Sequence, residues 1–492
     1  MYVSPSLVRL RISRSCPTGG SALPRTGRAM ILIVSAVTGI DPERLKQLHE
    51  RENERFVTDR PRSMAFTERA HRTMPRGVPM SWMDDLYDHP PLWISHGEGA
   101  SFTDVDGHTY LDMYIADMSA FCGHAPPAVA EAVAQRISRG SQFLLPTEVA
   151  IPLAEHLVAR YGMPKWQFTL SATQANIEVI RLARQVTGRE VVLLFDAKYH
   201  GHADTTLVVL EDGQIVPEYG GVLPSIAKQV RVVQFNDVDA LDRALEPGDV
   251  ALVLTEAAMT NAGFIQPKDG FHDHLRRVTH ETGTLLAIDE THTLVCSYGG
   301  LTRLWNLQPD FLTVGKSIAG GVPLGAYGMT NAIATYMSSP DDPNVVSGAI
   351  VGEVATGGTL FANPPSLVAG LTALTHVLTE EAFERTAGLG DRLADGLRAS
   401  FEHWRLPWSV TQLGGHACYF FVRTPPADGA TSRDADDPHL RALIRIFMAN
   451  RGVWESGWWL GPTVSVAHNT DDVSRYLAVF DTFLEAAVGP SE

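Results

Sequence analysis

The sequence predicts an α/β protein, a mainly parallel central sheet joined to a smaller α+β domain. Three observations carry this. From about residue 165 to 330, short apolar runs alternate with helical stretches. The runs "EVVLLF" (190–195), "VALVLT" (250–255), "TLLAID" (284–289) and "FLTVG" (311–315) are almost continuously apolar, as parallel strands covered on both faces are. Before this region and after it, hairpin and helix signals follow no such rhythm.

Residues 41–74 open on "DPERLKQLHERENERF", an amphipathic helix with Asp41 near its start. "ASFTDVDGHTYLDMYIAD" (100–117) alternates and holds Asp106-Gly107, a strong hairpin signal. "PPAVAEAVAQRIS" follows as a helix, and "HDHLRRVTHETG" sits between two of the apolar strands. From about 369 come a long helix, a strand "HACYFFV" (416–422), a polar loop (424–438), another helix, and a last strand and helix. The expected division is a leader with its helix (1–60), an N-terminal part of the smaller domain (61–140), a large domain (141–368) and a C-terminal part of the smaller domain (369–492).

The 492 residues are 45% apolar and 20% charged, ordinary for a soluble chain of two or three domains. No apolar run approaches the ~20 residues of a membrane-spanning helix, so no membrane partner is expected. The net charge of -16 disfavours nucleic acid as a partner. Cys16, Cys122, Cys296 and Cys418 are widely separated and form no CxxC pair. This argues against a metal site or a disulfide framework and for a cytoplasmic protein. The first 40 residues hold five arginines and no acid. They read as a disordered leader or as an upstream start, with the natural start nearer Met30, rather than as a signal peptide.

Ligands of open α/β sheets bind beyond the carboxyl ends of the strands. Those ends carry Tyr199 and His200, Glu256, Asp289 and Lys316. A lysine closing a strand, an acid closing its neighbour and a small-residue turn before a helix suit pyridoxal phosphate. That cofactor needs an amine for a Schiff base, an acid for its ring nitrogen and backbone N–H groups for its phosphate.

"LLAIDETHT", followed 27 residues after its aspartate by "TVGKSIAGGVPLGAYG", resembles the signature of class III aminotransferases, fold-type I pyridoxal-phosphate enzymes. "GASFTDVDGHTYLDM", "YHGH", "TEAAMTNAG", "GGTLFANP" and "SVAHN" extend the likeness from about residue 70 to the C-terminus. The branch most resembled holds glutamate-1-semialdehyde aminomutases and β-amino-acid aminotransferases. The resemblance implies that Lys316 forms the Schiff base and shuttles the proton, and that Asp289 pairs with the ring nitrogen. It implies that Ser171, Ala172 and Thr173 hold the phosphate, and that Tyr199 stacks on the ring with His200 supporting the loop. Glu256 and Asn261 fall near the phenolic oxygen, and His292 beside the cofactor. Gly358-Thr359 matches a segment that crosses from the neighbouring subunit, implying a homodimer with shared sites. Glu290 follows Asp289 and faces away on a strand.

Several positions depart from the family pattern. Ala172 stands for a glycine, Gln174 for a glutamate and Ala257 for a proline. The arginines that relatives use for substrate carboxylates are not evident. "MPRGVPMSWMDDLY" (74–87) places Arg76 at the turn, and "VWESGWWLGPTVSVAHN" offers Trp454, Trp458 and Trp459 instead. Trp82, Met118 and Trp458 are the candidate pocket residues. The reading is a ping-pong aminotransferase passing an amino group from an amine or amino-acid donor to a keto acid, ketone or aldehyde, with a leaning to apolar or aryl amines. The alternatives are a glutamate-1-semialdehyde-type 2,1-aminomutase and a non-catalytic protein of this fold. Retention of Lys316 and Asp289 counts against the last. No GxGxxG after a strand and no GxxxxGK[ST] supports a nucleotide-binding protein.

Overall fold

The computed structural model describes residues 40–337, 356–456 and 460–489. The leader, Cys16, Trp458 and Trp459 lie outside them.

The chain begins with α1 (Pro42–Thr58) and α2 (Pro61–Ala70). Asp41 caps α1 through a 3.0 Å bond from the Glu43 amide, and Leu45, Leu48 and Phe56 are buried on one face. The Asp-Gly hairpin forms as expected. β1 (Ile94–Glu98), β2 (Ser101–Asp104) and β3 (Thr109–Asp112) are antiparallel neighbours. Helices α3 (Pro127–Ile137) and α4 (Ala150–Tyr161) lead into the central region.

There the elements run β4 (Lys165–Thr169), α5 (Ala172–Thr187), β5 (Val191–Phe195), the hairpin β6 (Val208–Glu211) and β7 (Gln214–Pro217), then β8 (Val230–Val233) and α6 (Val238–Leu245). They continue with β9 (Val250–Thr255), α7 (Phe271–Thr282), β10 (Leu285–Asp289), β11 (Phe311–Val314) and β12 (Gly325–Met329). The central sheet has seven strands in the order β4-β12-β11-β10-β9-β5-β8. All pairs are parallel except those that β12 makes with β11 and β4. Every residue of β9, β11 and β12 is buried. This explains the unbroken apolar runs, since helices cover both faces.

After α8 (Pro364–Thr372) and the long α9 (Glu380–His403) come the hairpin β13 (Ser409–Leu413) and β14 (His416–Phe420), α10 (Pro438–Ala449), β15 (Val453–Trp454) and α11 (Thr470–Val488). β15 pairs in parallel with β3, so both ends of the chain share the four-stranded sheet β1-β2-β3-β15. Cys122, Cys296 and Cys418 are buried and form no disulfide among the described residues. Among the described residues no helix is long and apolar enough to cross a membrane.

Candidate active site

A cavity of about 280 Å³ opens where β9, β10 and β11 end. It is lined by Ser171, Ala172, Thr173, Tyr199, His200, Glu256, Asp289, His292 and Lys316, which the sequence singled out, and by Trp82 at its edge. A second cavity of about 680 Å³ adjoins it. Trp82, Asp117, Ser119 and Lys316 line both.

The small-residue turn holds one wall. Ser171 caps α5 by accepting from the Gln174 amide at 3.4 Å, and Gln174 Oε1 accepts from the Leu170 amide at 3.0 Å. Gln174 is thus a capping residue and needs no charge for that task. Ala172 is the first helical residue, so it presents its N–H at the helix start as a glycine would. Two glycines make room for this turn. A Cβ on Gly325 would lie 2.4 Å from the Ser171 carbonyl oxygen, and one on Gly201 would lie 2.3 Å from Thr173 Oγ1. A helix N-terminus walled this way is an anion site.

Asp289 ends β10, and its carboxylate accepts four bonds. Oδ2 accepts from Asn176 Nδ2 at 2.7 Å and from His200 Nδ1 at 3.0 Å. Oδ1 accepts from the Thr291 amide at 3.0 Å and its hydroxyl at 2.5 Å. Burial alone would raise its pKa. The hydrogen bond and charge of His200, with Thr291 and Asn176, hold it down at about 2. His200 therefore fixes the carboxylate as well as its own loop. Glu290 points to the other face, as alternation requires, where Oε1 accepts from the Thr302 amide at 2.5 Å and burial raises its pKa.

Lys316 follows β11 with φ of 51°, a left-handed conformation that costs roughly 1–2 kcal/mol for a non-glycine residue. Its Nζ donates to Asp117 Oδ2 at 2.5 Å and is in contact with His292 Nε2. His292 Nδ1 lies 2.6 Å from Thr260 Oγ1, and Thr260 Oγ1 donates to Glu256 Oε2. A connected line thus runs Asp117–Lys316–His292–Thr260–Glu256. Burial, then the Lys316 charge, lowers the His292 pKa, which leaves the imidazole neutral. Burial, then the Asp289 charge, raises the Glu256 pKa well above its ordinary value, against the lowering effect of the Thr260 hydrogen bonds.

Asp117 sits on an unusual backbone. Ile115, Ala116, Asp117 and Met118 have φ of 46°, 48°, 54° and 68°. Four left-handed residues in a row are costly and persist only where surroundings impose them. Here Asp112 does so. Its Oδ1 accepts from the amides of Tyr114 and Ile115 at 3.1 and 2.8 Å, and its Oδ2 lies 2.8 Å from His124 Nε2.

Two expectations need correction. Met118 is a core residue that lines neither cavity, because the left-handed turn swings Asp117 inward and packs Met118 behind it. Asn261 also lines neither cavity. Glu256 Oε2 captures both the amide and the hydroxyl of Thr260, which faces the inside of that turn to Thr260 and not to Asn261. Thr359, expected to act in the neighbouring subunit's site, is exposed and outside both cavities of its own chain, with its carbonyl accepting from Gln142 Nε2 at 2.5 Å. Arg76 pairs with Asp84 at 2.9 Å and Asp85 at 2.5 Å, which pins the short turn Trp82–Asp85 that carries Trp82. The Trp82 ring meets Tyr199 edge-on, 5.6 Å between centroids.

Sequence reasoning missed Asp117, Asn176, Thr260 and Thr291. The i, i+4 spacing of Asn176 from Ala172 on the phosphate-side helix was the one usable signal among them.

The larger cavity is walled by Met80, Trp82, Met83, Tyr87, Trp93 and Trp454 among others. Among the described residues no arginine lines either cavity.

The class-III aminotransferase family model matches residues 83–415. A glutamate-1-semialdehyde 2,1-aminomutase of Chloroflexus aggregans is 34% identical over 414 residues, covering 80% of this chain and 91% of that protein. The crystal structure of a glutamate-1-semialdehyde aminomutase from Pseudomonas aeruginosa in complex with PMP is 37% identical, with a TM-score of 0.87 over 91% of this chain and all (100%) of that one. An omega-transaminase from Sphaerobacter thermophilus is 31% identical, with a TM-score of 0.79 over 87% of this chain and 98% of that one. These enzymes use pyridoxal phosphate, and an amine at Lys316, an ionised acid at Asp289 and an anion-binding helix start around one cavity suit it. With its parallel sheet and this site at the strand ends, the chain belongs to the class III aminotransferases of PLP fold type I.

Proposed function

We propose that the protein is a pyridoxal-phosphate-dependent aminotransferase that takes its amino group from apolar or aryl amine donors and passes it to a carbonyl acceptor. The observation that carries the donor preference is the larger cavity. Its wall is mostly aromatic, aliphatic and thioether, and among the described residues it has no guanidinium to clamp a carboxylate.

The cofactor supplies an electron sink for the carbon that bears the amine. The chain's own residues do the rest. The N-terminus of α5, with Ser171 and Thr173, would hold the phosphate. Asp289, kept ionised by four donors, would hold a proton on the ring nitrogen. Tyr199, backed by Trp82, would supply an aromatic contact to the ring, and Lys316 Nζ would be the amine that engages the carbonyl and moves the proton.

The line behind Lys316 positions its amine. Thr260 Oγ1 donates to Glu256 Oε2 and accepts from His292 Nδ1–H, which leaves His292 Nε2 as an acceptor facing Lys316 Nζ.

A partner subunit's Thr359 completing the phosphate site, and hence a homodimer, is part of this proposal. So is a cytoplasmic setting. The aminomutase named among the relatives is the second reading, favoured by 34% and 37% identity. Half-reaction spectra separate the two. The pyridoxal form is mixed with α-amino acids, β-amino acids and aryl amines, and conversion to the pyridoxamine form is followed. Fast conversion by aryl amines with release of a carbonyl product supports the proposal, and Lys316→Ala must abolish it. Isomerisation with no released carbonyl product refutes it, and conversion by α-amino acids alone refutes the donor preference.

A further inference from the structure

Asp117 lines both cavities, and the backbone takes four left-handed residues in succession to deliver it. Its side chain is a quarter exposed and lies where the two cavities meet. One oxygen holds Lys316 Nζ at 2.5 Å. The other, Oδ1, is buried, with His292 Nε2 3.6 Å away and no hydrogen-bond partner. The carboxylate thus meets the cavities beside the Lys316 amine. Beyond Ser119, Lys316 and the His124–Asp112 pair, the wall of the larger cavity is aromatic, aliphatic and thioether.

We propose that Asp117 is the charge-selecting residue of the donor cavity: it receives the donor's ammonium and disfavours donors that carry a carboxylate on the amine-bearing carbon. This rests on the aminotransferase reading of the same site. The donor nitrogen must reach the place that Lys316 Nζ occupies, because the two exchange there. A nitrogen at that point is within hydrogen-bond reach of Asp117. An ammonium arriving there finds an anion opposite its charge, with Oδ2 the oxygen that already faces Nζ. A carboxylate on the adjacent carbon would lie within a few ångströms of the same anion with no guanidinium among the described residues to offset it. Like charges set so close across a low-dielectric wall are strongly disfavoured. The strained turn fits this role, because it fixes the carboxylate before any ligand arrives.

The experiment compares the pyridoxal-phosphate-loaded wild type with Asp117→Asn, an isosteric change that removes the charge. The donors are 2-phenylethylamine and phenylalanine, which differ only in the α-carboxylate. The expected result is a wild-type kcat/KM favouring the amine, and a fall of that preference by about tenfold or more in the variant. A preference unchanged within about twofold overturns the proposal, since ordinary loss of activity lowers both donors together. Two unreactive ions give a readout free of turnover on the wild type itself. 2-Phenylethyl-trimethylammonium should perturb the cofactor spectrum at lower concentration than 3-phenylpropanoate, and equal or reversed binding overturns the proposal. A wild type that converts neither donor refutes the aminotransferase reading, while the two ions still score Asp117.

Discussion

Replacing Asp289 by asparagine exchanges one acceptor oxygen for an NH₂ group in a pocket built wholly of donors. One amide orientation sets that NH₂ against Asn176 Nδ2 and His200 Nδ1, the other against the Thr291 amide and hydroxyl. The histidine can turn its tautomer to accept, but Asn176 cannot flip. Its Nδ2 also serves the His200 carbonyl at 3.0 Å, and its Oδ1 accepts from Thr313 at 2.9 Å. At least one donor is therefore left buried without an acceptor, and the surviving bonds lose their charge assistance. An orphaned buried donor costs about 1–3 kcal/mol and each charge-assisted bond is worth about 1.5–3 kcal/mol. Relief from burying the carboxylate offsets part of this, which leaves on the order of 2–4 kcal/mol of destabilisation. The assay is thermal melting of the cofactor-free protein, with retention of pyridoxal phosphate on dialysis as a second measure. The sign with pH follows from a carboxyl held at about 2. The wild-type advantage is full above the unfolded carboxyl's pKa near ~4 and vanishes as pH falls through about 2. An Asp289→Asn protein that melts with the wild type at pH 7 and keeps its cofactor would refute the assignment of these four bonds.

Three further outcomes test other parts of the site. Trp82→Ala should slow turnover of aryl donors at nearly unchanged stability, whereas Met118→Ala should cost about 2–5 kcal/mol of stability and leave donor preference alone. Parallel melting and donor profiles check the pair, and equal effects on donors would contradict the core placement of Met118. Gly325→Ala pushes a methyl into the Ser171 carbonyl and should weaken phosphate-dependent cofactor affinity by tenfold or so, measured by titrating the cofactor-free protein. Glu455, buried and hydrogen-bonded by Tyr419 and Tyr476 at 2.6 and 2.9 Å, has its pKa pushed up to about 7 by burial. A carboxyl raised in the folded state stabilises fully below its unfolded value and loses that contribution as pH rises through about 7. Chemical denaturation between pH 5 and 8 should therefore show a wild-type decline, on the order of 3 kcal/mol at most, that Glu455→Gln flattens.

The central sheet was legible because its strands are apolar on both faces, and a strand's end is visible where polarity returns. Asp289 and Lys316 stood out on that ground before any family likeness. β4, β8 and β12 were less visible. Lys165–Thr169 carries polar residues at an edge-side position, and Gly325–Met329 holds two glycines that give room to Ser171 and Trp166. Asp117 was out of reach for a different reason. Strand alternation assigns faces only while the backbone stays extended, and from Ile115 onward it does not. Parity counted from β3 therefore cannot say that Asp117 faces the cavity and Met118 the core. Thr260 was missed because a turn's facing is set by which amide Glu256 captures, and spacing does not encode that.

The pairing of β15 with β3 has a consequence for the order in which the protein assembles. Apart from Trp82, Asp117 and Ser119, the smaller cavity is drawn from residues 170–324, a continuous stretch of chain. The larger one needs residues 78–124 together with Lys316 and Trp454, so it exists only after β15 has met β3. Contacts so distant in sequence form late, because closing the long loop between them carries its entropy cost before any contact rewards it. A folding chain therefore reaches a stage at which the cofactor half is complete and the donor half is not. Refolding in the presence of pyridoxal phosphate should show cofactor capture running ahead of the recovery of donor selectivity.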